Sequence, residues 1–171
     1  MKSLKIILIV FIIASICYSC SDDGDSISRN TTGRIVSTDG CKFTNTEQLF
    51  KSNYAPTHQD CINYEYDSTK TLTITHINAA FNCCPTDITA DIIFEGNTIT
   101  ITEHEVDAPC DCICLYDVAY QFDGVEEDRY TIVINGMYLG DTSPVMAEFD
   151  LTTSYENTFC TERDIYPWIT E

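Results

Sequence analysis

From residue 62 onward, apolar side chains recur at every second position. Ile62, Tyr64 and Tyr66 form one set, and Leu72 with Ile74 the next, separated by threonines. Ile88, Ala90, Ile92 and Phe94 follow, then Ile99 and Ile101, then Tyr116, Val118, Tyr120 and Phe122. Tyr130, Ile132 and Ile134, and finally Val145, Ala147, Phe149 and Leu151, complete the series. A period of two puts alternate side chains on opposite faces of an extended strand, so each set marks a strand with one face turned to a core. Asp67-Ser68-Thr69-Lys70 separates the first two sets and Gly96-Asn97 the next two, which predicts two hairpins. The one helix expected is short, over Thr46 to Lys51, with Thr46 as its cap and Leu49 and Phe50 inward. Six or more short strands rich in β-branched and aromatic residues predict an all-β fold, an antiparallel sandwich or a partly open barrel.

The chain holds 10 cysteines, of which Cys41, Cys61, Cys83, Cys84, Cys110, Cys112, Cys114 and Cys160 fall within the predicted strand region or just before it. For an exported chain these eight are expected to pair as disulfides, with roughly 105 connectivities open. Cys110, Cys112 and Cys114 stand at i, i+2 and i+4, about 6.6 Å apart per step on a strand, too far to bridge one another. They must find partners elsewhere, and Cys83-Cys84 offers at least one. Their even numbering matches Tyr116, Val118 and Tyr120, so all three are expected to extend an inward face. The alternative is a soft-metal or thiol-active site built from Cys83, Cys84, Cys112 and Cys114 with His76, suited to Zn²⁺ or Cu⁺. The spacing is not that of a Cys-x2-Cys knuckle, and no Cys-x-x-Cys pair is present.

Residues 1–19 begin Met1-Lys2-Ser3-Leu4-Lys5 and continue as an apolar run from Ile6 to Ile16 broken only by Ser15. A positive start and an apolar stretch of about a dozen residues, short of the roughly 20 needed to span a bilayer, form a signal peptide. The junction Cys17-Tyr18-Ser19-Cys20 resembles a lipoprotein box, which implies cleavage before Cys20 and a diacylglycerol lipid on its sulfur. Ser21-Asp22-Asp23-Gly24-Asp25 resembles the acidic run that follows the lipidated cysteine in surface lipoproteins of the Bacteroidetes group. That resemblance implies an outer-membrane address on the cell surface, the periplasmic face being the alternative. Residues 20–33 then form a lipidated, flexible acidic tether, and 34–171 a single β domain.

Removal of residues 1–19 takes away two of the nine basic residues, so seven face 27 acidic ones and the formal balance is −20. Such a charge repels phosphate backbones and excludes nucleic acid as a partner, while leaving a protein or glycan ligand or a cation open. The acidic group Glu103, Glu105, Asp107 and Asp111 is a candidate Ca²⁺ loop, set against a plain solvated loop. Tyr166, Pro167 and Trp168 are read as a cap on an open edge of the core, with an aromatic binding patch as the rival. His58, His76 and His104 are the only histidines. His104-Glu105 lacks the second histidine of a zincin helix, and neither Gly-x-Ser-x-Gly nor a phosphate-binding glycine loop occurs. No catalytic residue is therefore nominated; an enzyme centred on His76 or His104 is the remote alternative to a non-catalytic binding or structural domain.

Three longer resemblances complete the reading. Gly124-Val125-Glu126-Glu127-Asp128-Arg129-Tyr130-Thr131-Ile132-Val133-Ile134 resembles the return strand of immunoglobulin-like sandwiches. Asp25-Ser26-Ile27 and Asp67-Ser68-Thr69 resemble short O-glycosylation sites of the same bacterial group. Asn82-Cys83-Cys84 together with Cys110-Asp111-Cys112-Ile113-Cys114-Leu115-Tyr116-Asp117 is similar to small Cys-rich Bacteroidetes lipoproteins; this implies a fold and an address but no activity.

Overall fold

The computed structural model describes residues 31–42, 55–140, 142–165 and 167–168. The signal segment, Cys20, most of the tether, the helix expected at Thr46 to Lys51, and Tyr166 lie outside the described residues. Among the described residues there are nine strands: β1 (Thr32–Thr38), β2 (Gln59–Tyr66), β3 (Thr71–Asn82), β4 (Asp87–Glu95), β5 (Thr98–Val106), β6 (Ile113–Asp123), β7 (Arg129–Asn135), β8 (Val145–Asp150) and β9 (Glu156–Glu162). No helix occurs among the described residues. The strands form a five-stranded sheet in the order β1-β6-β3-β2-β9 and a four-stranded sheet in the order β4-β5-β7-β8. Every pairing is antiparallel except β5 with β7, which run parallel. That exception follows from the path of the chain: it leaves β5, reverses to make β6 in the other sheet, and reverses again into β7.

Each apolar set read from the sequence faces the space between the sheets. Ile62, Tyr64, Leu72, Ile74, Ile99, Ile101, Val118, Tyr120, Phe122, Ile132 and Ile134 are buried in one cluster with Phe81, Val145 and Leu151. Both predicted hairpins form, β2 with β3 and β4 with β5. In the first turn, one oxygen of Asp67 accepts the amides of Thr69 and Thr71, which closes the loop around a left-handed Lys70. Gly96 supplies the left-handed position of the second. β1 begins at Thr32, two residues before the expected domain start, and crosses the core at Gly33. There a Cβ would lie 2.6 Å from the Phe122 ring, so only glycine lets β1 approach β6 so closely.

The pairing of β3 with β6 slips by one residue at Asn78, which adopts a left-handed φ of 66°. The bulged residue is fully bonded: its amide donates to Asp117, its side-chain NH₂ to the carbonyls of Pro56 and Gln59, and its side-chain oxygen accepts from Lys42 Nζ. Its own carbonyl accepts from the Trp168 indole at 2.9 Å. Trp168 is buried against Ala80 and Leu115 in a small cluster separate from the main core, so it covers β3 and β6 rather than an open edge of that core.

Among the described residues four disulfides staple the sandwich: Cys41–Cys114, Cys61–Cys160, Cys83–Cys112 and Cys84–Cys110. Both Cys83 and Cys84 serve the Cys110-to-Cys114 run. One expectation needs correction. Of that run only Cys114 is buried, whereas Cys110 and Cys112 are both exposed. β6 starts at Ile113, so residues before it do not continue the strand's alternation.

Candidate functional site

Three features of this fold concentrate chemically capable side chains, and they differ in access to solvent.

The first is a buried ionic cluster between the sheets. Asp60 on β2, His76 on β3 and Tyr120 on β6 point inward from three neighbouring strands of the larger sheet, and Glu103 meets them from β5 opposite. His76 is 1% exposed. Its Nδ1 lies 2.7 Å from Glu103 and its Nε2 2.8 Å from Asp60. A neutral imidazole donates from only one nitrogen, so two carboxylate partners require the imidazolium. Burial alone would depress its pKa; the charge of Glu103, then the hydrogen bond and charge of Asp60, overcome it and hold the group at about 10. The second oxygen of Asp60 accepts two hydrogen bonds from Arg163, just past β9, and Arg163 also donates to the carbonyl of Ser143. Burial opposes ionisation of Asp60, but His76 and Arg163 together keep its pKa below the usual carboxylate value. Tyr120 donates to Glu103 at 2.6 Å, and burial, with the adjacent Glu103 charge, raises its phenol. Two carboxylates thus balance one guanidinium and one imidazolium. Glu103 Oε2 is left without a hydrogen-bond partner among the described residues. Asp60, His76 and Glu103 are each at most 1% exposed, and the cluster ties the two sheets together.

The sequence reads His76 as a satisfied core or rim histidine before a ligand, and Glu103 as part of a loop, plainly solvated or else Ca²⁺-binding. The structure corrects that placement: Glu103 and Glu105 belong to strand β5, Glu103 facing His76 and Glu105 accepting from the Asn82 amide and the Tyr138 hydroxyl. Asp107 and Asp111 lie beyond the strand, so the four do not converge. Burial and the bond to Glu105 push the Tyr138 phenol up to about 12. Asp60, Tyr120 and Arg163 were not singled out. The signal for Asp60, His76 and Glu103 is parity: each continues the inward alternation of its own strand. His104 lies on the exposed face of β5 and pairs with Asp91 at 3.0 Å, and His58 pairs with Glu162 at 3.2 Å, both at the surface.

The second feature is the sulfur-rich end of the sandwich, where three bridges connect Cys83 and Cys84 just after β3, Cys41 three residues past β1, and Cys110, Cys112 and Cys114 before and at the start of β6. All four thiols of the alternative metal set, Cys83, Cys84, Cys112 and Cys114, are engaged in bridges here, and His76 is engaged with carboxylates instead. The Sγ atoms of Cys41, Cys83 and Cys114 nevertheless lie within 4.8 Å of one another.

The third feature is open to solvent. Two depressions of about 540 and 510 Å³ adjoin on the outer face of β3, β2 and β9 and share Glu65 as a wall. Thr71, Thr73, Tyr155 and Glu156 line the first, and Asn63, Gln59, Ile77 and Thr158 the second. Tyr155 is 54% exposed, its ring braced at 6.0 Å by the buried Tyr66. This trough follows directly from alternation: the residues between the inward-facing Tyr64, Tyr66, Leu72 and Ile74 must face out, and on these strands they are hydroxyl, amide and carboxylate side chains.

Sheet order, bridges and sites define a disulfide-stapled β-sandwich. No family model, curated protein sequence or solved structure matches this chain.

Proposed function

We propose that the chain is an extracytoplasmic, lipid-anchored, non-catalytic binding domain whose ligand face is the trough over β3, β2 and β9. The observation that carries this is the trough itself, an accessible concave surface beside a cluster of titratable groups that is sealed from solvent. Its occupant in this reading is an uncharged glycan. Sugar hydroxyls both donate and accept, which matches the mixture of Glu65, Glu156, Asn63, Gln59 and the threonines, while an exposed ring such as Tyr155 offers a stacking face for a pyranose. The carboxylates disfavour anionic chains. The signal segment and Cys20 supply the anchor, and the acidic residues after Cys20 support display on the outer surface.

Calorimetric titration of the purified chain with neutral oligosaccharides tests the reading. Micromolar to millimolar binding that falls at least tenfold in Tyr155→Ala and in Glu65→Gln supports it. Binding of a basic peptide in place of every glycan, or glycan binding unaffected by both substitutions, overturns it.

A further inference from the structure

The three sulfurs of Cys41, Cys83 and Cys114 belong to two different bridges, Cys41–Cys114 and Cys83–Cys112, yet no pair among them is more than 4.8 Å apart. Three residues from separate parts of the chain are brought together by the fold. Cys83 follows the last residue of β3, and its amide donates to the Cys112 carbonyl at 3.0 Å. Cys114 is the second residue of β6, and Cys41 lies beyond β1, next to the bridge residue Lys42 that pairs with Leu115. Disulfides exchange by attack of a thiolate on a neighbouring sulfur, and the rate rises with access and proximity. Here the attacking and attacked sulfurs are already neighbours.

We infer that Cys83 is the internal nucleophile of a two-bridge relay. An external thiol, of the kind a protein dithiol carries, attacks Cys112 Sγ; a mixed disulfide forms on Cys112 and Cys83 leaves as a thiolate. The Cys83 thiolate then attacks the Cys41–Cys114 bridge at Cys114 Sγ, the Cys83–Cys114 bond forms, and Cys41 departs and takes a proton from water. Two disulfides and one thiol enter, and two disulfides and one thiol emerge, so no net oxidation is needed. Cys41 is the preferred leaving group because it is half-buried whereas Cys114 is buried, and the better hydrated thiolate departs more readily. The outcome is release of the segment carrying Cys41 from its covalent hold on β6. Cys84–Cys110 stands outside this group of neighbouring sulfurs and takes no part.

The test is to prepare the full chain carrying Cys112→Ser, which leaves Cys83 as the odd thiol among the eight bridging cysteines, and to locate the free one of those eight by alkylation and peptide mapping over time. The relay requires the label to move off Cys83, with a new bridge from Cys83 to Cys114 or Cys41; labelling of Cys41 gives the direction stated. Cys110→Ser is the matched control, and its odd thiol should remain on Cys84 with Cys41–Cys114 intact. Wild-type protein exposed to a small thiol under folding conditions provides the measurement independent of any variant: Cys41 should become alkylatable before Cys61 or Cys160. A label that stays on Cys83, equal rearrangement in the control, or opening of Cys61–Cys160 ahead of Cys41 would each overturn the inference.

Discussion

The Glu103 carboxylate from one sheet and the His76 imidazole from the other meet at 2.7 Å, with neither residue more than 1% exposed. Removing one partner of a buried ion pair leaves the other charge desolvated and uncompensated, which costs about 3–5 kcal/mol. His76→Ala should therefore lower the unfolding free energy by about that amount in urea titrations, and Glu103→Ala by a similar amount. A surface pair between β5 and β4 behaves differently: His104→Ala, which removes only the partner of Asp91 at the surface, should change stability by less than about 1 kcal/mol.

The same contact sets the alkaline limit of the fold. The His76 pKa is about 10 in the folded chain against 6.5 for the free imidazole. A raised folded pKa means that the stabilisation is complete below 6.5 and is lost as pH climbs toward 10. The unfolding free energy should fall across that window at up to roughly 1.4 kcal/mol per pH unit. Asp60 acts with the opposite sign: its pKa is lowered from 3.8, so its contribution is full above that value and is lost on acidification through its folded value. Urea midpoints measured from pH 6 to 9.5 check the alkaline slope, which His76→Gln should flatten.

Much of the fold was legible before any coordinates, because alternation is a local property: Tyr64 and Leu72 announce their inward faces within their own strands. The parallel contact of β5 with β7 was not, since it depends on β6 having crossed to the other sheet between them. The ionic cluster was half visible. Asp60, His76 and Glu103 each sit at an inward position of their strands, but that they meet one another is decided by which strands the sheets place face to face, and Arg163 follows no pattern at all. The parity of Cys110 and Cys112 misled for a plain reason: alternation has meaning only inside a strand, and β6 begins after both.

The bridges should contribute unequally. Cys84–Cys110 and Cys83–Cys112 close nearly the same loop, with sequence separations of 26 and 29, so either one alone leaves the unfolded chain restricted. Cys61–Cys160 joins residues 99 apart, and its strands β2 and β9 share no other bridge. Thermal or urea unfolding of the double serine variants should show a loss of about 1 kcal/mol or less for Cys84/Cys110 and about 2–4 kcal/mol for Cys61/Cys160.

Close approach of β1 to the core is testable at one atom. Gly33→Ala places a methyl 2.6 Å from the Phe122 ring, which must shift to admit it. Overpacking of this kind costs about 1–3 kcal/mol, and denaturant titration should find that loss. Gly40→Ala, where nothing lies within 4 Å of the added carbon, serves as the control and should be close to neutral.

The pairing of Cys41 with Cys114 also decides how the domain answers a pull on its N-terminal segment. Tension entering through β1 reaches a covalent link to β6, a strand held between β1 and β3. Such a force can unzip β1 but stops at Cys41 and does not continue along the chain toward β2; it is handed to the interior of the larger sheet. Extension is confined to the residues before Cys41, and the trough over β3, β2 and β9 keeps its shape under strain.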